Sequence, residues 1–354
     1  MLQKINHSIA EYRSYNLRDK MKWWKRLLIG WAIYLLILVF IVYIAIRFPS
    51  FISISSLMDI LKRTSAYGIM ALGMGGIIVL AGTDLSAGRM LGLMACVAAS
   101  LEQSITFTAK MFPGLDPLHP LLVLLLLLAI GAVCGFINGF CTTKFKIHPF
   151  IVTLATQLIL YGLTLIYVQF GTNGGKNITG LDERYSTLVK GNIFSIGDIS
   201  IPYYVLYFII IAIIVWIIWN KTSLGKNMYA VGANPEAAEV SGVSVFGTTI
   251  AIFMIAGMLY GIAAFIEAAR IGSNTATTGA NYELDAIAAC VIGGVSFTGG
   301  VGTIRGIITG VVLLQLISIG LQWLGVSASL TYVIKGLIIL IAVIIDKQKY
   351  LTRK

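Results

Sequence analysis

The sequence predicts an all-α fold: a polytopic membrane helix bundle of about ten transmembrane helices, some of them short and broken. Three observations predict it. The 354 residues are 58% hydrophobic and only 12% charged, with a mean hydropathy of +0.89, far from the balance of a soluble domain. The apolar residues gather into about ten stretches, most of them near the roughly 20 residues that a bilayer crossing needs. Basic residues collect at both ends: Lys4, Arg13, Arg18, Lys20, Lys22, Lys25 and Arg26 before the first stretch, and Lys347, Lys349, Arg353 and Lys354 after the last. The net charge of +11 therefore reports topology and contact with anionic membrane lipid, not nucleic-acid binding.

In order, a basic cytoplasmic segment at 1–26 precedes a membrane domain at 27–346 and a basic cytoplasmic tail at 347–354. The expected spans are 27–48, 66–81, 90–106, 121–141, 150–170 and 202–219, then 248–268, 284–295, 302–323 and 330–345. The second and eighth are short and interrupted by glycine. No A-x-A cleavage site follows the first apolar run, so that span is expected to be a retained anchor. Basic ends and an even span count place both termini in the cytoplasm. The segment at 171–200 is then the one large external loop, and 234–242 lies inside.

Glycines at spacing four (Gly131, Gly135 and Gly139; Gly302, Gly306 and Gly310), with the pairs Gly88/Gly92 and Gly257/Gly261, mark faces where helices approach closely. "GTDLSAG" at 82–88 and "GVSFTGG" at 294–300 echo each other. Broken helices in matching places of two halves point to a transport pathway. Asp84, Ser86, Gly88 and Arg89 in the first segment, and Gly294, Ser296, Gly299 and Gly300 in the second, are therefore pathway or gating candidates.

Charges at membrane depth are expensive and find partners or water. Asp84 with Arg89, and Glu267 with Arg270, read as ion pairs at helix ends, with a direct transport role as the alternative. Lys335 lies inside the last span and needs a partner, for which Glu283 and Asp285 stand nearest in type. Arg270, Glu283 and Asp285 are also candidates for an outer salt bridge or for docking an external partner. Asn138, Thr153, Gln157 and Gln315 either line a polar path or bridge helices.

Reactive motifs are missing. "GTNGGKN" has the wrong spacing for a phosphate-binding loop, and no H-E-x-x-H or G-x-S-x-G occurs. Four cysteines in or beside apolar runs and three scattered histidines suggest neither a disulfide framework nor a metal site. What stands out is "VGANPEAAEVSGVSV" at 231–245. Asn234 suits an N-cap, Pro235 the first turn, Glu236 and Glu239 the positive helix end, and Gly242 a stop. Such a short helix is marginal alone, so it is expected to rest against a partner.

"GKNMYAVGANPEAAEVSGV" resembles the coupling region of permease subunits of bacterial ATP-binding cassette sugar importers of the ribose, xylose and galactose type. "GTDLSAGR", "PFIVTLATQ" and "YELDAIAACVIGGVSFTGGVGT" follow that pattern in order, so the likeness runs from about 27 to 346. Thr83, Arg89 and the "SFTGGVGT" ending look most like the galactose and methyl-galactoside branch. His148 departs from the pattern by standing where a small polar residue is usual.

The resemblance implies an importer permease with no enzymatic activity and no cofactor of its own, ATP and Mg being held by a separate ATP-binding subunit. Asn234, Pro235, Glu236, Ala237, Ala238 and Glu239 would couple to that subunit. Two permease copies would form the path for a monosaccharide, delivered by an extracytoplasmic sugar-binding protein at the bacterial cytoplasmic membrane. An ion-coupled secondary transporter centred on Asp84 is the alternative, as are ribose or xylose as cargo.

Overall fold

A computed structural model describes residues 35, 37–196 and 199–351. The segment 1–26, residues 27–34 and 36 of the span 27–48, and residues 352–354 of the basic tail lie outside the described residues. The elements are α1 (Ile37–Arg47), α2 (Ile54–Val79), α3 (Ala87–Leu101), α4 (Pro120–Lys144), α5 (Pro149–Gln169), α6 (Glu183–Lys190), β1 (Asn192–Ile196) and β2 (Ile199–Pro202). There follow α7 (Tyr203–Lys221), α8 (Ser223–Ala233), α9 (Pro235–Val240), α10 (Val245–Ile271), α11 (Tyr282–Ile292), α12 (Ile304–Trp323) and α13 (Ala328–Leu351). Among the described residues, five helices (α4, α5, α7, α10 and α12) are long and apolar enough to cross a membrane.

Local chemistry sets the boundaries. His119 and His148 each accept a hydrogen bond at Nδ1 from the backbone N–H two residues on, at 3.3 Å, with proline following in the first turn of α4 and α5. His148 thus does the capping that a small polar residue would do. The second helix is longer than its sequence suggested: α2 runs unbroken for 26 residues, because its glycines pack against neighbours instead of breaking it. Two helices that follow long ones inside the bundle are short: α3, of 15 residues, and α11, of 11. At 1.5 Å per residue α11 extends only about 16 Å, roughly half a hydrocarbon core.

The centre is built from backbone contact. A Cβ on Gly131 or Gly257 would overlap the other residue's carbonyl oxygen, Gly135 lies against Phe253, and Gly139 against Ile250. Numbers rise along α4 as they fall along α10, so the two helices run antiparallel. On α2, Gly73 lies on Ala256 and Gly76 on Ile252, again antiparallel to α10. In the same way Gly306 and Gly310 seat α12 on Gly293 and Ala289. Because a bilayer supplies little hydrophobic drive between helices, this close dispersion contact is what holds them. The most apolar windows of α10 and α12 are 72% and 61% buried against 28% for α4 and α5, which makes the first two central.

Two halves repeat one plan in opposite sense: a long helix, a turn, a short helix and two longer helices, as α2–α5 and as α10–α13. The starts of the short helices meet, Gly88 of α3 lying against Gly279 and Glu283 at the head of α11. This revises the sequence echo. The counterpart of 80–86 is the α10–α11 turn at 272–281, whereas "GVSFTGG" is the connection from α11 to α12.

The segment 171–200 is folded rather than a bare loop. It carries α6 and the antiparallel β1–β2 hairpin, and Tyr185 is fully buried with its hydroxyl donating to the Phe265 carbonyl at 2.5 Å. Residues 197 and 198 of the segment lie outside the described residues.

Candidate functional site

The exposed helix of the sequence motif is α9, preceded by α8, which its glycines had hidden. Asn234 Oδ1 accepts from the Ala237 N–H at 3.0 Å, and Pro235 and Glu236 fill the first turn. Gly242 ends the helix at φ +83°, where a side chain would be strained. Ala238 is buried, Glu236 and Glu239 are exposed, and Val240 is 92% exposed. An apolar side chain flanked by two carboxylates is thus held out from the bundle on a rigid, capped turn.

This helix is keyed to the bundle by glycine. A Cβ on Gly232, at the end of α8, would overlap the Val79 carbonyl oxygen at the end of α2, and one on Gly299 would overlap the Gly232 carbonyl. Gly300 donates its N–H to the same Val79 carbonyl at 2.8 Å, and Tyr229 donates its hydroxyl to the Gly302 carbonyl at 2.9 Å. With no side chain at the joint, α8 bears backbone on backbone against the end of α2 and the α11–α12 turn.

Above the joint, the α2–α3 turn holds a closed polar network. Asp84, 1% exposed, accepts at Oδ1 from the N–H and hydroxyl of Ser86 at 2.9 and 2.5 Å. Asn138 Nδ2 donates to Ser86 Oγ at 3.0 Å, and Thr156 Oγ1 to Asn138 Oδ1 at 2.7 Å. Thr153 accepts from the Leu85 N–H at 3.1 Å and donates to the Thr83 carbonyl at 3.3 Å. The structure therefore brings Asp84, Ser86, Asn138 and Thr153 together, as interhelical hydrogen bonds that satisfy an irregular backbone inside the bundle.

The Asp84–Arg89 ion pair expected from sequence does not form. Arg89 instead lies 4.1 Å from the centroid of the Tyr161 ring and donates to the Ala276 carbonyl at 3.3 Å, because the first turn of α3 points it away from Asp84. Glu283 is only 4% exposed, its Oε2 without a hydrogen-bond partner and pressed against Gly88. It is not a surface docking charge. Gln157 is half-buried, and Gln315 lies near the opposite end, outside the network.

The other pairs do form. Arg270 donates to both oxygens of the fully buried Glu267 at 2.5 and 2.6 Å, and the Tyr282 hydroxyl adds a third bond at 2.7 Å. Lys335 Nζ reaches both oxygens of Asp285 at 2.9 and 3.0 Å, which answers its need for a partner. Of the second turn, Ser296 Oγ shares a hydrogen bond with Thr298 Oγ1 at 2.9 Å, and Gly294, Gly299 and Gly300 all have positive φ. No group of histidine, cysteine or carboxylate side chains among the described residues is arranged to hold a metal.

Sequence reasoning missed Glu102. It follows the last residue of α3, is 1% exposed, and has an Oε1 without a partner. Its carbonyl accepts the Asp182 N–H at 2.6 Å, joining α3 to the α6 segment. Burial, helped by the nearby Asp182 charge, pushes its carboxyl up to about 8 against an opposing pull from Arg184.

Residues 56–343 match the family described as branched-chain amino acid transport system / permease component. The chain is 45% identical to the galactose/methyl galactoside import permease protein of Haemophilus influenzae over 91% of this chain and 95% of that one. The same figures hold for its namesake in Escherichia coli. The ribose import permease protein of Bacillus subtilis is 37% identical over 88% of this chain and 90% of that one. No solved structure matches.

Proposed function

The chain belongs to the branched-chain amino acid transport system / permease component family, and from that premise we propose that it is the membrane-spanning permease of an ATP-binding cassette importer for a monosaccharide. Galactose or a methyl galactoside is the favoured cargo, since the relatives at 45% identity carry those names while a ribose permease stands at 37%. The protein is a transport component, multi-pass in a membrane. It supplies path and lever, and no covalent chemistry.

The finer reading has ten crossings in the bacterial cytoplasmic membrane, with the basic ends 1–26 and 347–354 in the cytoplasm. It places α9 inside and the α6 segment outside. A separate ATP-binding subunit carrying ATP and Mg docks on Asn234 through Glu239, a second copy of this permease completes the path, and an extracytoplasmic binding protein delivers the sugar. The single observation that carries this reading is the glycine joint. It gives an exposed helix of six residues a rigid connection to the ends of α2 and α11. A self-powered transporter has no use for such a lever.

ATP binding that draws two such helices together would shift Val79 and the turn at 293–303, and with them the meeting point of α3 and α11. Selectivity can reside in the binding protein, so the path itself need hold sugar only weakly. The test is uptake of labelled galactose and ribose into proteoliposomes containing this chain, its ATP-binding subunit and its binding protein. Uptake that requires ATP and favours galactose is expected. Uptake driven by an ion gradient without ATP would instead favour an ion-coupled transporter centred on Asp84, and preference for ribose would reassign the cargo.

A further inference from the structure

A polar cavity of about 280 Å³ lies between α2, the start of α11, α12 and α13, on the side of the molecule away from the α9 lever. Two ion pairs frame it. Arg270 is held on Glu267, and Lys335 on Asp285, so these charges are already matched. Inside that frame are polar side chains with nothing to bond. Gln315 is only 3% exposed, yet its amide makes no hydrogen bond with any described residue. Arg63 makes no ion pair among them, and Gln322 adds a second free amide at the mouth. Tyr67 and Tyr282 contribute a pair of rings with centroids 4.6 Å apart.

Gln315 lines the cavity without a partner among the described residues, so its amide is free to donate to and accept from any polar molecule that enters. What enters must offer several hydroxyl-like donors and acceptors to the two amides and the guanidinium, and a C–H face to the electron-rich rings. A sugar ring has both. The volume is just below the roughly 300–1,000 Å³ of drug-sized sites, which suits one ring and excludes an oligosaccharide.

We propose that this cavity is a transit subsite for one neutral hexose, with Gln315 as its principal hydrogen-bonding residue. The proposal rests on the sugar-import reading. It adds a contact between cargo and permease that selectivity by a receptor alone does not require. The subsite sits beside the head of α11, where the two short helices meet, so a shift of the joint would reshape it.

The experiment compares wild type with Gln315→Leu and Gln322→Leu in proteoliposomes holding the complete importer, supplied with saturating loaded binding protein. Tritiated galactose and ribose are the probes. Leucine keeps the volume and removes the amide. Galactose uptake is expected to fall five- to tenfold in Gln315→Leu and two- to threefold in Gln322→Leu. ATP hydrolysis by the partner subunit should continue, and the galactose-to-ribose ratio should shift. Unchanged galactose uptake in Gln315→Leu overturns the subsite.

If Gln315→Leu fails to assemble and loses hydrolysis as well, the exposed Gln322→Leu decides. A selective fall supports the subsite and full uptake overturns it. A wild-type complex that imports neither sugar overturns the importer reading instead. The subsite is then judged by tritiated galactose binding to the permease–ATPase complex without receptor, which Gln315→Leu should abolish if the subsite exists and leave intact if it does not.

Discussion

Replacing Gly232 by alanine tests whether force passes through the glycine joint. The added Cβ would sit inside the contact distance of the Val79 carbonyl oxygen and close to the Gly300 nitrogen, and both neighbours are backbone atoms with no rotamer in which to retreat. Overpacking of this kind typically costs about 1–3 kcal/mol. Separating the strands of the joint also stretches the Gly300 N–H to Val79 bond of 2.8 Å, worth about 1 kcal/mol net. The sum, about 2–4 kcal/mol, is localised where α8 meets α2. It is enough to change the balance between two conformations by a factor of thirty or more, at about 1.4 kcal/mol per tenfold.

The assay is the ratio of sugar transported to ATP hydrolysed in reconstituted importer. Gly162→Ala serves as control, because that glycine has nothing within 4 Å of an added Cβ and alanine favours a helix. Gly232→Ala is expected to lower the ratio at least tenfold and Gly162→Ala to leave it unchanged. Normal coupling in a folded Gly232→Ala importer would refute the direct-contact account of the joint.

Three further outcomes follow from the geometry. Asn234→Ala removes the side-chain cap of α9, a loss of about 1 kcal/mol, and should speed hydrogen exchange at 237–240 and weaken ATPase association while leaving bundle stability unchanged. Lys335→Met strands the half-buried Asp285 carboxylate, with an expected loss of about 3 kcal/mol in thermal stability, and Lys335→Met with Asp285→Leu should recover most of it. Because the Glu102 carboxyl is raised to about 8 in the folded chain, its contribution is fully present below the ordinary carboxyl range and is lost as pH climbs through 8. Hydrogen exchange of α6, corrected for its intrinsic rise with pH, should therefore accelerate between about pH 4.5 and 8 and level off above that, and Glu102→Gln should flatten that profile.

How much the sequence reveals depends on whether a feature is local. The α9 motif is legible because capping, turn and stop residues act within nine positions, from Asn234 to Gly242, and the helix forms where they lie, at Pro235–Val240. The seam of Gly131, Gly135 and Gly139 is equally plain, because a spacing of four places small residues on one face whatever their partner. Lys335 demands a partner on energetic grounds alone, and Asp285 supplies it.

Features set by distant parts of the chain escape such reading. Apolar runs say where membrane lies but not where a helix turns back, so α2 is set too short, and α3 is drawn on past Leu101. The pairing of Asp84 with Arg89 looks natural from sequence separation, yet the turn at 80–86 directs the two side chains to different helices. Nothing local marks 183–190 as a docked helix, since Tyr185 finds its partner 80 residues away, at Phe265.

The central claim is that α9 is the handle by which an ATP-driven subunit works this permease. It is tested most directly by galactose uptake in the reconstituted importer with Glu236→Arg/Glu239→Arg, two exposed positions whose reversal leaves the bundle interior untouched. The account expects uptake to be abolished while the binding protein still holds sugar and the permease remains folded. ATP-dependent uptake at the wild-type rate would contradict it.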